Sequence, residues 1–223
     1  WVVEDDFVGG ERPDLGAVGV ELVADVTPFE HMKLRMLNGT HSSLAYLGYL
    51  AGHETIADTV ADPVFAGFVR RLWAREIIPV LAPPPGVDLS AYADALFSRY
   101  ANPAIRHRTW QIAMDGSQKL PQRPLGTIGE NVEAGRAVPG LCLAVAAWMR
   151  YVGGIDETGA PIEVKDPLAA RLRALVDAAP DAAGKVRALL SVREIFPEAL
   201  AAQLAAPVMA AYGRLVAGGS RAA

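Results

Sequence analysis

The amino-acid sequence predicts a mostly α-helical protein, with about eight to ten helices by its start signals and at most one or two short strands. Three observations carry that expectation. Hydroxyl, carboxylate or amide residues stand before prolines or apolar residues at recurring points of the chain, which is how helices begin. Apolar residues follow each of these points at three- and four-residue spacing. Strand character is confined to residues 18–23 and 162–164.

Taken in order, residues 1–26 read as a leader. Gly9, Gly10, Pro13 and Gly16 make its first part irregular, and the short strand candidate at 18–23 closes it. The first residue is Trp1 rather than Met, and the run from Trp1 to Phe7 reads like the interior of a longer chain. A fragment of a larger protein is therefore expected. Residues 27–223 form the helical part. Thr27–Pro28 offers an N-cap hydroxyl with proline at the first helical position, and the pattern stays helical to Ala51. Further starts are Asp62–Pro63, Asp88 before Leu89, Asn102–Pro103, Asp166–Pro167, and Pro197 after Phe196. The stops are Pro83 to Gly86, Gly135, Gly153–Gly154 and Gly218–Gly219. No internal repeat is present, and the Ala-rich tail is good helix former.

Composition narrows the function classes. With 223 residues, 52% of them hydrophobic, the chain can bury one large core or two modest ones. A net charge of −4, from 21 basic and 25 acidic residues mixed along the chain, offers no footprint for nucleic acid and no polybasic run for a membrane surface. The longest apolar stretch, 138–149, is too short to span a bilayer. The single cysteine, Cys142, has no internal partner, which fits a reducing, cytoplasmic setting. The four histidines (His31, His41, His53 and His107) lack metal-ligand spacing, so no metal is expected. Ser42 and Ser43 lie too close to His41 along one helix to form a nucleophile–base pair, and a hydrolase is not expected.

One helix carries a residue out of pattern. On a wheel of about 100° per residue, Phe29, Met36, Leu37, Leu44 and Leu47 share one sector, and Lys33 falls in its middle. His41 lies at the sector's edge and Asn38 a little beyond, all within about 12 Å of helix axis. Two readings fit. Lys33 is a semi-buried amine, its pKa lowered by desolvation into the range of a general base, with Asn38 and His41 bonding an oxygen-rich ligand. Alternatively Lys33 snorkels to water and His41 is an ordinary half-buried histidine.

The segment Lys33-Leu-Arg-Met-Leu-Asn38-Gly-Thr-His41 resembles the K-x-x-x-x-N-x-x-H signature of the mannitol dehydrogenase family of polyol-specific long-chain dehydrogenases. Residues 102–119 resemble that family's second motif, and the likeness runs over nearly the whole chain from residue 4 onward. The resemblance implies a multi-helix C-terminal domain of the 6-phosphogluconate dehydrogenase C-terminal-like fold. It implies Lys33 as general acid/base, Asn38 polarising the reacting oxygen, His41 bonding substrate, and Lys119 as a substrate contact. Gln111 stands where mannitol-type members carry arginine, a departure that bears on the substrate. Dehydrogenases of the 6-phosphogluconate and hydroxyisobutyrate type place lysine and asparagine four residues apart, whereas Lys33 and Asn38 are five apart.

The implied activity interconverts a secondary alcohol and a ketone on a linear polyol or sugar acid, with NAD or NADP as hydride carrier. No G-x-G-x-x-G follows a strand in this sequence. The cofactor is therefore expected on an N-terminal Rossmann domain of the parent protein, and this fragment alone is expected to be inactive. The stretch 107–123 looks most like the fructuronate reductase branch. Arg106, Arg108, Lys119 and Arg123 lie in or next to it, each able to pair with a substrate carboxylate. The reading from a different class is a non-catalytic helical interaction or dimerisation domain in which Lys33 and His41 are incidental.

Overall fold

A computed structural model describes residues 1–223. Two three-residue strands, β1 (Val2–Glu4) and β2 (Glu21–Val23), pair in parallel with Val3 opposite Leu22. Only the second half of the 18–23 candidate is strand, because Gly16–Val18 winds into a 3-10 turn that ends on Gly19 at φ 81°. β1 lies in the part of the leader expected to be irregular. The 162–164 candidate forms no strand. Its surroundings hold one isolated bridge, Ile155 with Pro161.

The remaining regular structure is helical: α1 (Thr27–Met32), α2 (Thr40–Leu50), α3 (Ile56–Ala61), α4 (Pro63–Leu72), α5 (Leu89–Tyr100), α6 (Thr109–Ala113), α7 (Gly116–Leu120), α8 (Gly126–Glu133), α9 (Pro139–Val152), α10 (Ala169–Ala178), α11 (Ala182–Leu190) and α12 (Glu198–Gly218). Three π segments interrupt or extend these helices. Lys33–Gly39 joins α1 to α2, Trp73–Ile77 extends α4, and Pro121–Leu125 joins α7 to α8. Counting joined helices as one leaves ten rods, within the expected number.

Most start signals act as read, with two corrections. Asp62 and Asp88 cap α4 and α5 through their carboxylates. Thr27 is already inside α1, and its N–H is taken instead by the carboxylate of Asp25, 2.8 Å away. Asn102–Pro103 starts no helix. The Asn102 side chain accepts the N–H of Ala104 in a turn, and the chain stays irregular until the bridge residue Arg108 leads into α6. A capping box of Thr55 and Asp58 opens α3, and Asp181 caps α11.

The centre of the core is the pair α2 and α9, which pack side by side. Ten of the eleven residues of α2 and eleven of the fourteen of α9 are buried, so both helices are enclosed on nearly every face. Small residues permit this closeness. A Cβ on Gly48 would sit 2.2 Å from Thr59 Oγ1, so α3 closes on α2 only because that position is glycine. The buried carboxylate of Glu76 accepts the N–H groups of Gly140 and Leu141, each at 2.8 Å, and so caps the otherwise apolar α9. Trp73 and Trp148 are buried in the core. Trp110 is only half-buried, with its indole N–H on Glu163 O and Lys165 over its ring.

By length and composition α12 could cross a membrane, which the 138–149 stretch could not. Here it packs on α9 and α11 through Ala201, Leu204, Val208, Ala211, Tyr212 and Leu215. One face of it is thus part of the core.

Candidate active site

The site begins with the π segment Lys33–Gly39. The wheel assumed a uniform α-helix, and the structure corrects it. The buried positions are Met32 and Met36, while Phe29 and Leu37 are half-buried. The apolar stripe is therefore displaced by one residue, and Lys33 lands on the open flank. It is exposed, not semi-buried, and lines a groove of about 520 Å³ with Trp1, Val2, Phe29 and Tyr92. Asn38 is half-buried five residues on. In a π segment the hydrogen bond closes from residue i to i+5, so Lys33 and Asn38 stand one turn apart on one side.

His41 sits in the first turn of α2 and is 9% exposed. Its ring stacks on Tyr100 at 5.3 Å and 25° and meets His107 at 5.1 Å. Burial, then the neighbouring His107, Arg123, Arg99 and Lys119, push its pKa down to about 3. His41 is thus a neutral imidazole at any working pH, a hydrogen-bonding group and not an acid. Its Nε2 has no protein partner. A buried polar atom without a partner is rare and points to a missing ligand or water.

Two cations approach from the third π segment and the helix before it. Arg123 donates to Ser42 Oγ at 2.9 Å, and Lys119 Nζ donates to Ile112 O at 3.3 Å. Neither forms an ion pair within 4 Å, although Asp115 and Asp166 lie close enough to act on Lys119 electrostatically. Burial lowers the pKa of each. Lys119 is aimed by the turn before it. Asp115 is the only non-glycine residue at positive φ (56°), and Gly116 lets the chain pass under Trp148 and Tyr46, where a Cβ would lie 2.5 Å from the indole nitrogen. Ser117 then ties the turn to Asp166 through both its N–H and its hydroxyl.

Three of the expected substrate contacts are exposed in this domain. Gln111 is exposed on α6. Arg106 and Arg108 are 70% and 61% exposed and both face Glu54 at 3.8 Å. Arg108 also lines a separate, largely polar cavity of about 600 Å³ with His53, Asp156 and Glu163, beyond the last turn of α2. His41 begins that helix and this cavity ends it, about 16 Å apart along an eleven-residue rod. Of the segment 106–108, only His107 reaches the site. Sequence reasoning passed over Tyr100 and gave Trp73 and Ser42 no part in the site, because their places there depend on tertiary contacts that no local motif announces.

Comparison with known proteins gives the family and the fold. The mannitol dehydrogenase C-terminal domain family matches residues 25–216. A D-mannonate oxidoreductase of Escherichia coli (strain K12) is 51% identical over 223 residues, covering 99% of this chain and 46% of that protein. A Pseudomonas fluorescens mannitol 2-dehydrogenase, solved as a ternary complex with NAD and D-mannitol, superimposes with a TM-score of 0.91 at 38% identity, over 99% of this chain and 44% of its own. A D-sorbitol dehydrogenase in substrate-free form gives 0.88 at 29% identity, over 100% and 45%. The chain thus spans less than half the length of these relatives.

Proposed function

Because this chain belongs to the mannitol dehydrogenase family, as its helical C-terminal domain, we propose that it is the substrate-binding and proton-handling part of a nicotinamide-dependent oxidoreductase whose substrate is a sugar acid. The pair is mannonate and fructuronate or a close relative, in preference to mannitol. The observation that carries this reading is the half-buried pair Lys119 and Arg123 beside His41, two cations without a carboxylate partner in the fold. A carboxylate ligand supplies that partner, and charge-assisted bonds to it are strong and directional. A neutral polyol leaves both charges uncompensated. The 51% identity to a D-mannonate oxidoreductase points the same way.

The chain's share of the chemistry follows from its residue types. Lys33, as the free amine, takes the hydroxyl proton from the substrate and returns it, as ammonium, in the reductive direction. Asn38 donates its amide N–H to the same oxygen as negative charge develops there. His41, neutral, offers Nε2 to a further hydroxyl. Lys119 and Arg123 hold the carboxylate end and so fix which carbon faces Lys33. The nicotinamide accepts or gives the hydride when bound. The lack of a G-x-G-x-x-G after a strand in the sequence supports a reading in which another part of the parent protein binds the dinucleotide and this chain by itself turns nothing over.

Comparison of kcat/KM for fructuronate and fructose in the full-length protein tests the reading. A preference for fructuronate of about tenfold or more is expected for one charge-assisted contact. Equal values, or a preference for fructose, would return the protein to the mannitol branch.

A further inference from the structure

The π segment between Lys33 and Gly39 is held open by two aromatic donors from outside it. Trp73 Nε1 donates to Met36 O at 3.0 Å, and Tyr100 Oη donates to Leu37 O at 2.8 Å. Both residues are almost fully buried, at 2% and 4% exposure. Their rings stack at 6.1 Å with 19° between planes, and the Tyr100 ring in turn carries His41. The two carbonyls they reach lie between Lys33 and Asn38, in the stretch whose register decides how those two residues relate.

That register matters because π turns are rare and persist mostly where surrounding contacts hold them. In α register, residues five apart are turned away from each other by about 140°, at 100° per residue. In π register they lie nearly above one another. A side chain that reaches a backbone carbonyl in such a turn ties the turn to the rest of the fold. We propose that Trp73 and Tyr100 are positioning residues that lock this segment in its wide register, so that the base Lys33 and the oxyanion donor Asn38 address the same substrate oxygen. The proposal rests on the dehydrogenase reading above. It assigns a role to two residues that touch neither substrate nor cofactor. Tyr100 has a second part in it: the ring that fixes Leu37 O also supports His41, so one side chain sets the relative height of three site residues.

The test uses the full-length protein and the variants Trp73→Phe and Tyr100→Phe, with Lys33→Ala as reference. Each phenylalanine keeps a ring in place and deletes one donor. Both variants are expected to lower kcat about ten- to hundredfold, the scale of a displacement near 1 Å at a reacting centre. KM for the sugar acid should stay within about twofold, since Lys119 and Arg123 are untouched. A residue that merely supports packing would lower the melting temperature and the active fraction without splitting kcat from KM per active site. Tyr100→Phe removes a single oxygen, and it decides the matter alone should the Trp73 variant not fold. Unchanged kcat in Tyr100→Phe, with Lys33→Ala inactive, overturns this proposal and leaves the dehydrogenase reading standing. A Lys33→Ala protein with wild-type turnover overturns both.

Discussion

The two ends of α2 both gather charged residues and use them in opposite ways. At the far end, Arg106 and Arg108 share Glu54, and Asp156 and Glu163 line the same open cavity as Arg108. Those side chains are solvated, and pairs of this sort contribute little, about 0–1 kcal/mol each. At the near end, Lys119 and Arg123 are half-buried and hydrogen-bond to neutral oxygens without an ion pair, and the His41 imidazole near them has an unsatisfied nitrogen. The far end is balanced by the protein itself. The near end is left unbalanced, and a cluster of desolvated groups that the fold does not neutralise is where a ligand's charge has the most to contribute.

The largest effect should come from the near end's reacting group. Lys33→Ala is expected to lower kcat by at least about 10², the lower range for a lost general acid or base, and to leave the helix intact since alanine is the better helix former. Steady-state turnover with circular dichroism measures both. Wild-type turnover in this variant would favour the interaction-domain reading, in which Lys33 is incidental.

A matched pair of arginine variants sharpens the contrast. Arg123→Ala should reduce kcat/KM for a carboxylated substrate about ten- to hundredfold, the loss of one charge-assisted bond. Arg108→Ala should change it by less than about twofold, as for an exposed residue away from the site. The same parameter, measured for both, breaks the comparison if the order is reversed.

The smallest effect is on stability. His41 titrates near 6.5 when unfolded and is held down to about 3 in the fold. Between those values the unfolded chain binds a proton that the folded chain refuses, so stability falls as pH drops below about 6.5. Urea melts at pH 7 and pH 5.5 should show the loss in wild type and a shallower one in His41→Asn, which has nothing to titrate. An identical pH dependence in the two proteins would mean that His41 is better solvated than its surroundings indicate.

The helical class was legible in the sequence because caps and spacing are local. Asp62, Asp88 and Pro197 each open a helix where they were expected to. What failed was decided at a distance. Asn102–Pro103 has the local signature of a helix start, yet the following residues run out to the bridge between Arg108 and Thr55. The wheel placed Lys33 in the core because it assumed one register throughout. The motif named Lys33, Asn38 and His41 correctly as neighbours along one rod but said nothing of Tyr100 or Trp73, which arrive from other helices. It set Lys119 apart from Arg106 and Arg108 as a family contact, but the pairing of those two arginines with Glu54 is visible only in three dimensions.

The wide turn at Lys33–Gly39 also bears on how such motifs are counted. A π turn is an α-helix that has accepted one residue more than its register allows while the helix on either side keeps its place. Five positions here therefore cover what four cover in a regular helix. The lysine–asparagine spacing that separates this motif from the four-residue spacing of other dehydrogenases with helical second domains need not mean a different arrangement of the two side chains. Measured in turns rather than in residues, the two spacings are the same, and an alignment that forces the asparagines together by sliding the lysine would misread an insertion as a substitution.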